Sequence, residues 1–114
     1  MPDALHNSTY AQIYLPPLQD YQNEMIARIA TLVNIDSGTG QVEGVNRIMA
    51  YLEQWLSDLG FTVTLHPTPP FGNNLLARRK GQGTARILLV GHVDTVYAAG
   101  AAKIAGQTAL TRRT

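Results

Sequence analysis

Leu18, Tyr21, Met25, Ile26, Ile29, Leu32 and Val33 recur at three- and four-residue intervals, while Asp20, Asn23, Glu24 and Arg28 fall largely between them. That spacing gathers the apolar side chains into one stripe and predicts an amphipathic helix from Leu18 to near Ile35. Ahead of it, residues 1–17 are mostly polar and end in Pro16-Pro17, which predicts a flexible N-terminal arm. The turn formers Asp36-Ser37-Gly38-Thr39-Gly40 break the period and are candidate caps for the next helix. From Val42 a second helical pattern begins, with Val45, Ile48, Met49, Leu52, Trp55, Leu56 and Leu59 on one broad face and Gly60 where a C-cap belongs. Trp55 lies on that face and is expected in the core.

After Gly60 the period drops to two. Phe61, Val63 and Leu65 alternate with Thr62, Thr64 and His66, the pattern of a strand with one covered face, until Pro67, Pro69 and Pro70 end it. Asn74 to Arg79 predicts a second strand, Lys80-Gly81-Gln82-Gly83 a tight turn, and Arg86 to Val90 a third strand. The third is the most apolar and is expected deepest in the sheet. The fold class is therefore α/β: two N-terminal helices packed on a partial mixed, partly antiparallel β-sheet. Residues 98–114 differ in composition, being rich in alanine and glycine and free of acids, and read as a divergent tail.

Composition narrows the classes. A chain of 114 residues makes one small domain or part of a larger one, and 45% hydrophobic with 15% charged residues is a globular balance. There is no cysteine, which excludes disulfides, thiolate zinc sites and cysteine nucleophiles, so any metal rests on histidine and carboxylate. No run reaches the ~20 apolar residues of a membrane span and the first residues lack a secretory pattern, so no membrane association and a cytoplasmic location are expected. Residues 1–58 hold seven acids and two bases, net −5, whereas residues 59–114 hold one acid and seven bases, net +6. The bases are scattered without interleaved aromatics, so no nucleic-acid partner is expected.

The candidate chemistry sits in Gly91-His92-Val93-Asp94-Thr95-Val96-Tyr97, directly behind the third apolar run. In extended chain, residues two apart share a face, so His92 and Asp94 can project together beyond the strand's carboxyl end, where α/β sheets place their ligands. A carboxylate beside an imidazole can orient it as a base or as a metal ligand. The base role lacks a recognisable nucleophile. For the bare pair, the simpler account is a strand-end histidine satisfied by backbone or water, followed by a turn-starting aspartate. His6, in the arm, and His66, beside Pro67, are expected to be solvent-exposed and to add no ligand.

The wider context adds to this. LVNIDSGTG (32–40), LSDLGFTV (56–63), GNNLLAR (72–78) and ILLVGHVDTVY (87–97) follow in an order and spacing that resembles the start of the M20 zinc exopeptidases. That family includes glutamate carboxypeptidase, acetylornithine deacetylase and succinyl-diaminopimelate desuccinylase, and the resemblance looks closest to the first. It implies that residues 18–97 are the N-terminal part of an incomplete zinc-exopeptidase catalytic domain. His92 would be a metal ligand and Asp94 the catalytic carboxylate beside the metal site. The family hydrolyses amide bonds in peptides or N-acyl amino acids with two zinc ions, sometimes cobalt, bridged by an aspartate and a water. A glutamate acts as base, and the paired metals acidify the water and stabilise the oxyanion. Dimerisation belongs to a second, smaller domain.

Residues 95–114 contain no Asp, Glu, His or Cys, although Lys103 to Ala109 (KIAGQTA) still resembles the family's segment after the metal histidine. The expectation is an N-terminal fragment ended by a frame change or premature stop near Leu110, inactive alone and prone to associate through uncovered strand edges. A small noncatalytic partner-binding domain is the alternative from another class. A separately encoded remainder that docks on this piece is a third.

Overall fold

The structure, a computed structural model, describes residues 9–101. His6 and the segment 103–109 lie outside the described residues. The chain divides into two compact units after Leu32.

In the first unit, helix α1 spans Thr9–Asp20 and helix α2 begins at Gln22 and runs to Val33. Residues 9–17 are thus helical where a loose arm is expected, and Pro16 and Pro17 lie inside α1. A proline forfeits its own donor but keeps its carbonyl. Accordingly the Tyr21 N–H donates to Pro17 O at 3.3 Å and to Leu18 O at 3.2 Å. Tyr21 breaks the path, so the one helix expected from Leu18 to Ile35 is two helices meeting there. On α2, Arg28 Nη2 donates to Glu24 Oε1 at 3.0 Å, a one-turn ion pair worth a few tenths of a kcal/mol. No residue of α1 or α2 is buried.

In the second unit, helix α3 spans Val42–Asp58, followed by strands β1 (Thr62–Thr68) and β2 (Phe71–Arg78). The expected C-cap at Gly60 is realised with φ +89°. The Gly60 N–H donates to Ser57 O and the Phe61 N–H to Leu56 O, each at 3.0 Å, so the last carbonyls of α3 are satisfied as the chain turns into β1. The strands pair antiparallel, with Val63 opposite Ala77 and Leu65 opposite Leu75, and the register shifts between His66 and Thr68. Pro67, which has no N–H to give the ladder, stands at that shift.

Val63, Leu65, Leu75 and Ala77 are half-buried, while Thr62, Thr64, His66, Asn74 and Leu76 face solvent. Helix α3 packs against both strands, and Val45 and Ile48 are its buried apolar side chains, 7% and 4% exposed. Asn46 Oδ1 accepts the Asn73 N–H at 2.7 Å, pinning helix to strand. Trp55, expected in the core, is half-buried with its ring 6.3 Å from that of Tyr51.

The expected third strand does not form. Residues 86–90 carry no ladder among the described residues, and Ile87, Leu88, Leu89 and Val90 are 82–89% exposed. The sheet is therefore two antiparallel strands rather than a mixed one. Apolar β-branched composition expresses a demand for neighbours on edges and faces, and no described residue meets that demand here. No helix among the described residues is long and apolar enough to cross a membrane.

Candidate functional site

His92 and Asp94 do meet, but on a loop held by distant chain rather than at the exit of a strand. The holding segment is the turn 36–40, expected to cap α3. Gln41 occupies the N-cap position instead and makes no side-chain capping bond. Ser37 and Thr39 turn away to the 93–95 segment. The Thr39 N–H donates to Thr95 O at 2.9 Å and the Thr95 N–H to Ser37 O at 2.8 Å, forming a parallel bridge centred on Gly38 and Thr95.

The side chains complete the clasp. Ser37, 5% exposed, donates its hydroxyl to Val93 O at 2.9 Å, and the Gly100 N–H donates to Asp36 Oδ2 at 2.8 Å. The Thr39 hydroxyl donates to Asp94 Oδ2 at 2.7 Å. Gly38 is needed at the centre, because a Cβ there would run into the carbonyl oxygen of Tyr97. Two residues of this site, Ser37 and Thr39, escaped sequence reasoning, which assigned them to local capping. Their one available signal was two hydroxyls two residues apart, the spacing that puts both on one side of an extended chain.

His92 Nδ1 lies 3.0 Å from Asp94 O and 3.2 Å from Asp94 Oδ1. A carbonyl and a carboxylate oxygen can only accept, so Nδ1 carries the proton and donates to both. In the neutral ring this leaves the Nε2 lone pair free and pointed away from Asp94. The His92 side chain is 84% exposed and that of Asp94 43%. The Thr39 hydroxyl bond is the largest influence holding the Asp94 carboxyl below its ordinary value, with smaller contributions from the bond and charge of His92. The pair lines a concavity of about 460 Å³ with Thr39, Val45, Met49 and Phe71.

The donor set does not fit a catalytic zinc. Among the described residues no three His, Cys, Asp or Glu side chains are grouped to hold a metal ion, whereas such a zinc takes about three protein ligands and a water. Both Asp94 oxygens are engaged already, by His92 and by Thr39.

No family model matches the chain. It is 41% identical to carboxypeptidase G2 of a Pseudomonas species over 83 residues, covering 71% of this chain and 20% of that protein. It is 42% identical to the acetylornithine deacetylase of Edwardsiella ictaluri over 73 residues, covering 61% and 18%. The acetylornithine deacetylase of Salmonella arizonae is 36% identical over 87 residues, covering 72% and 21%. The chain is homologous to members of the M20 peptidase family. It spans about a fifth of the length of these relatives. The α/β class and the small antiparallel sheet are consistent with part of an M20-like domain.

Proposed function

We propose that this chain supplies one ligand and one carboxylate to the active site of a zinc-dependent, carboxypeptidase-type amide hydrolase. Its substrates are peptides or N-acyl amino acids, with C-terminal glutamate the class suggested by the resemblance to glutamate carboxypeptidase. His92 serves as the metal ligand through Nε2, and Asp94 as the catalytic-site carboxylate that sets its ring. Alone the chain is inactive in this reading, because the donors among the described residues do not complete a zinc site.

The observation that carries this reading is the Nδ1–H···Asp94 geometry, which leaves one imidazole lone pair available beside a concavity. Isothermal titration with zinc, together with a hydrolysis assay on N-acyl glutamate, tests it. Weak zinc binding that His92→Ala abolishes, with no turnover, is expected. Tight stoichiometric binding or turnover by the isolated chain contradicts the incomplete-site reading, and zinc binding indifferent to His92→Ala contradicts the ligand assignment.

The exposed run from Ile87 to Val90 favours a second reading, a noncatalytic domain that binds a protein partner through this segment. Partner capture that survives His92→Ala and Asp94→Asn but fails in Leu88→Lys separates it from the first.

A further inference from the structure

We infer that Thr39 is a positioning residue: its hydroxyl fixes the Asp94 carboxylate so that Asp94 holds the His92 ring in the Nδ1–H form, with Nε2 bare. Three observations meet here. Thr39 Oγ1 lies 2.7 Å from Asp94 Oδ2, the shortest contact of the group. The other oxygen of the same carboxylate, Oδ1, faces His92 Nδ1 at 3.2 Å, so the two ends of one rigid group are held by different partners. The Thr39 backbone is itself fixed, its N–H donating to Thr95 O at 2.9 Å.

The physical need for Thr39 comes from exposure. An aspartate on a loop rotates freely about its side-chain bonds, and His92 is largely in solvent, so an isolated His–Asp contact competes poorly with water. A hydroxyl anchored by its own backbone removes that freedom and presents Oδ1 to the ring in one direction. Thr39 acts through Asp94: its hydroxyl is bonded to Asp94 Oδ2 and not to the His92 ring. That this pair belongs to an active site rests on the exopeptidase reading; the orientation of the ring by Thr39 does not.

The tautomer can be read without activity, from long-range ring ¹H–¹⁵N correlations of His92 at about pH 8.5, where an imidazole is neutral. The wild-type chain is expected to shift the tautomer ratio toward Nδ1–H by about fivefold relative to a free histidine side chain, the bias that a typical net hydrogen bond imposes. Thr39→Val should move the ratio part of the way toward that of a free imidazole, the contact of Nδ1 to the Asp94 carbonyl oxygen at 3.0 Å remaining, and Thr39→Ser should restore it. A general loss of structure would shift resonances throughout α3 and the hairpin, whereas this role moves the ring of His92 with the hairpin amides unchanged. A wild-type ring with no more Nδ1–H than a free histidine side chain overturns the inference with no variant needed. So does a Thr39→Val or Thr39→Ala protein with intact hairpin amides and an unchanged tautomer. Zinc titration of the same samples reads the exopeptidase proposal separately: an Nδ1–H ring that Thr39 controls but that binds no zinc sustains the role of Thr39 and counts against the metal.

Discussion

The Thr39 hydroxyl and the Asp94 carboxylate, 55 residues apart in sequence, sit 2.7 Å from each other and join a turn before α3 to the loop bearing His92. Neither residue belongs to a helix or strand. Their placement comes from the parallel bridge between Gly38 and Thr95, a pairing of two short irregular segments that leaves both side chains on the concavity.

That contact is sensitive to pH in a defined direction. Asp94 is held below its ordinary value of 3.8, first by the Thr39 hydroxyl and then by His92, so its folded pKa is lower than its unfolded one. The stabilising contribution is complete above the unfolded value and is lost as pH falls through the folded one, so the clasp should hold at about pH 5 and loosen below about pH 4. Following the Thr39 and Thr95 amides by NMR through an acid titration checks this. Thr39→Val should raise the midpoint, and an unchanged midpoint contradicts the assignment.

Ser37 is the buried polar residue of the clasp. Ser37→Ala leaves the Val93 carbonyl without its donor and should destabilise the second unit by about 1 kcal/mol. Gly38→Ala should cost more, about 2 kcal/mol, because the new Cβ must displace the Tyr97 carbonyl. Urea unfolding of both variants gives the ranking, and a neutral Gly38→Ala would show that the 37–39 and 95–97 segments are not held together.

Ile48 is the most buried apolar side chain of the α3–hairpin core. Ile48→Ala should cost about 2 kcal/mol or more, whereas Leu76→Ala, on the solvent face of β2, should fall within about 0.5 kcal/mol. The contrast, measured by thermal melting, tests whether α3 seats on the face of the hairpin that carries Leu75 and Ala77. Equal effects would place the core elsewhere.

The run from Ile87 to Val90 presents four apolar side chains and an unpaired backbone to solvent. Such a segment recruits other strands, so the chain should associate as its concentration rises. Leu88→Lys should reduce light scattering at equal concentration without altering the circular dichroism of α3. Association that is indifferent to Leu88→Lys locates the adhesive surface outside this run.

By itself the sequence determined what local physics controls. The apolar face of α3, the glycine that ends it and the alternation of β1 depend on periodicity and backbone preference alone, and the structure places all three within a residue or two of expectation. The HVDT segment likewise announced a histidine and a carboxylate able to meet, as His92 and Asp94 do. Only tertiary structure decided the rest. Whether Ile87 to Val90 forms a strand depends on neighbours, which composition cannot supply. Whether Ser37 and Thr39 cap α3 or clasp the His92 loop is a competition between a nearby helix end and acceptors more than fifty residues away. The distant acceptors prevail here because the bridge at Gly38 brings several of them into reach together.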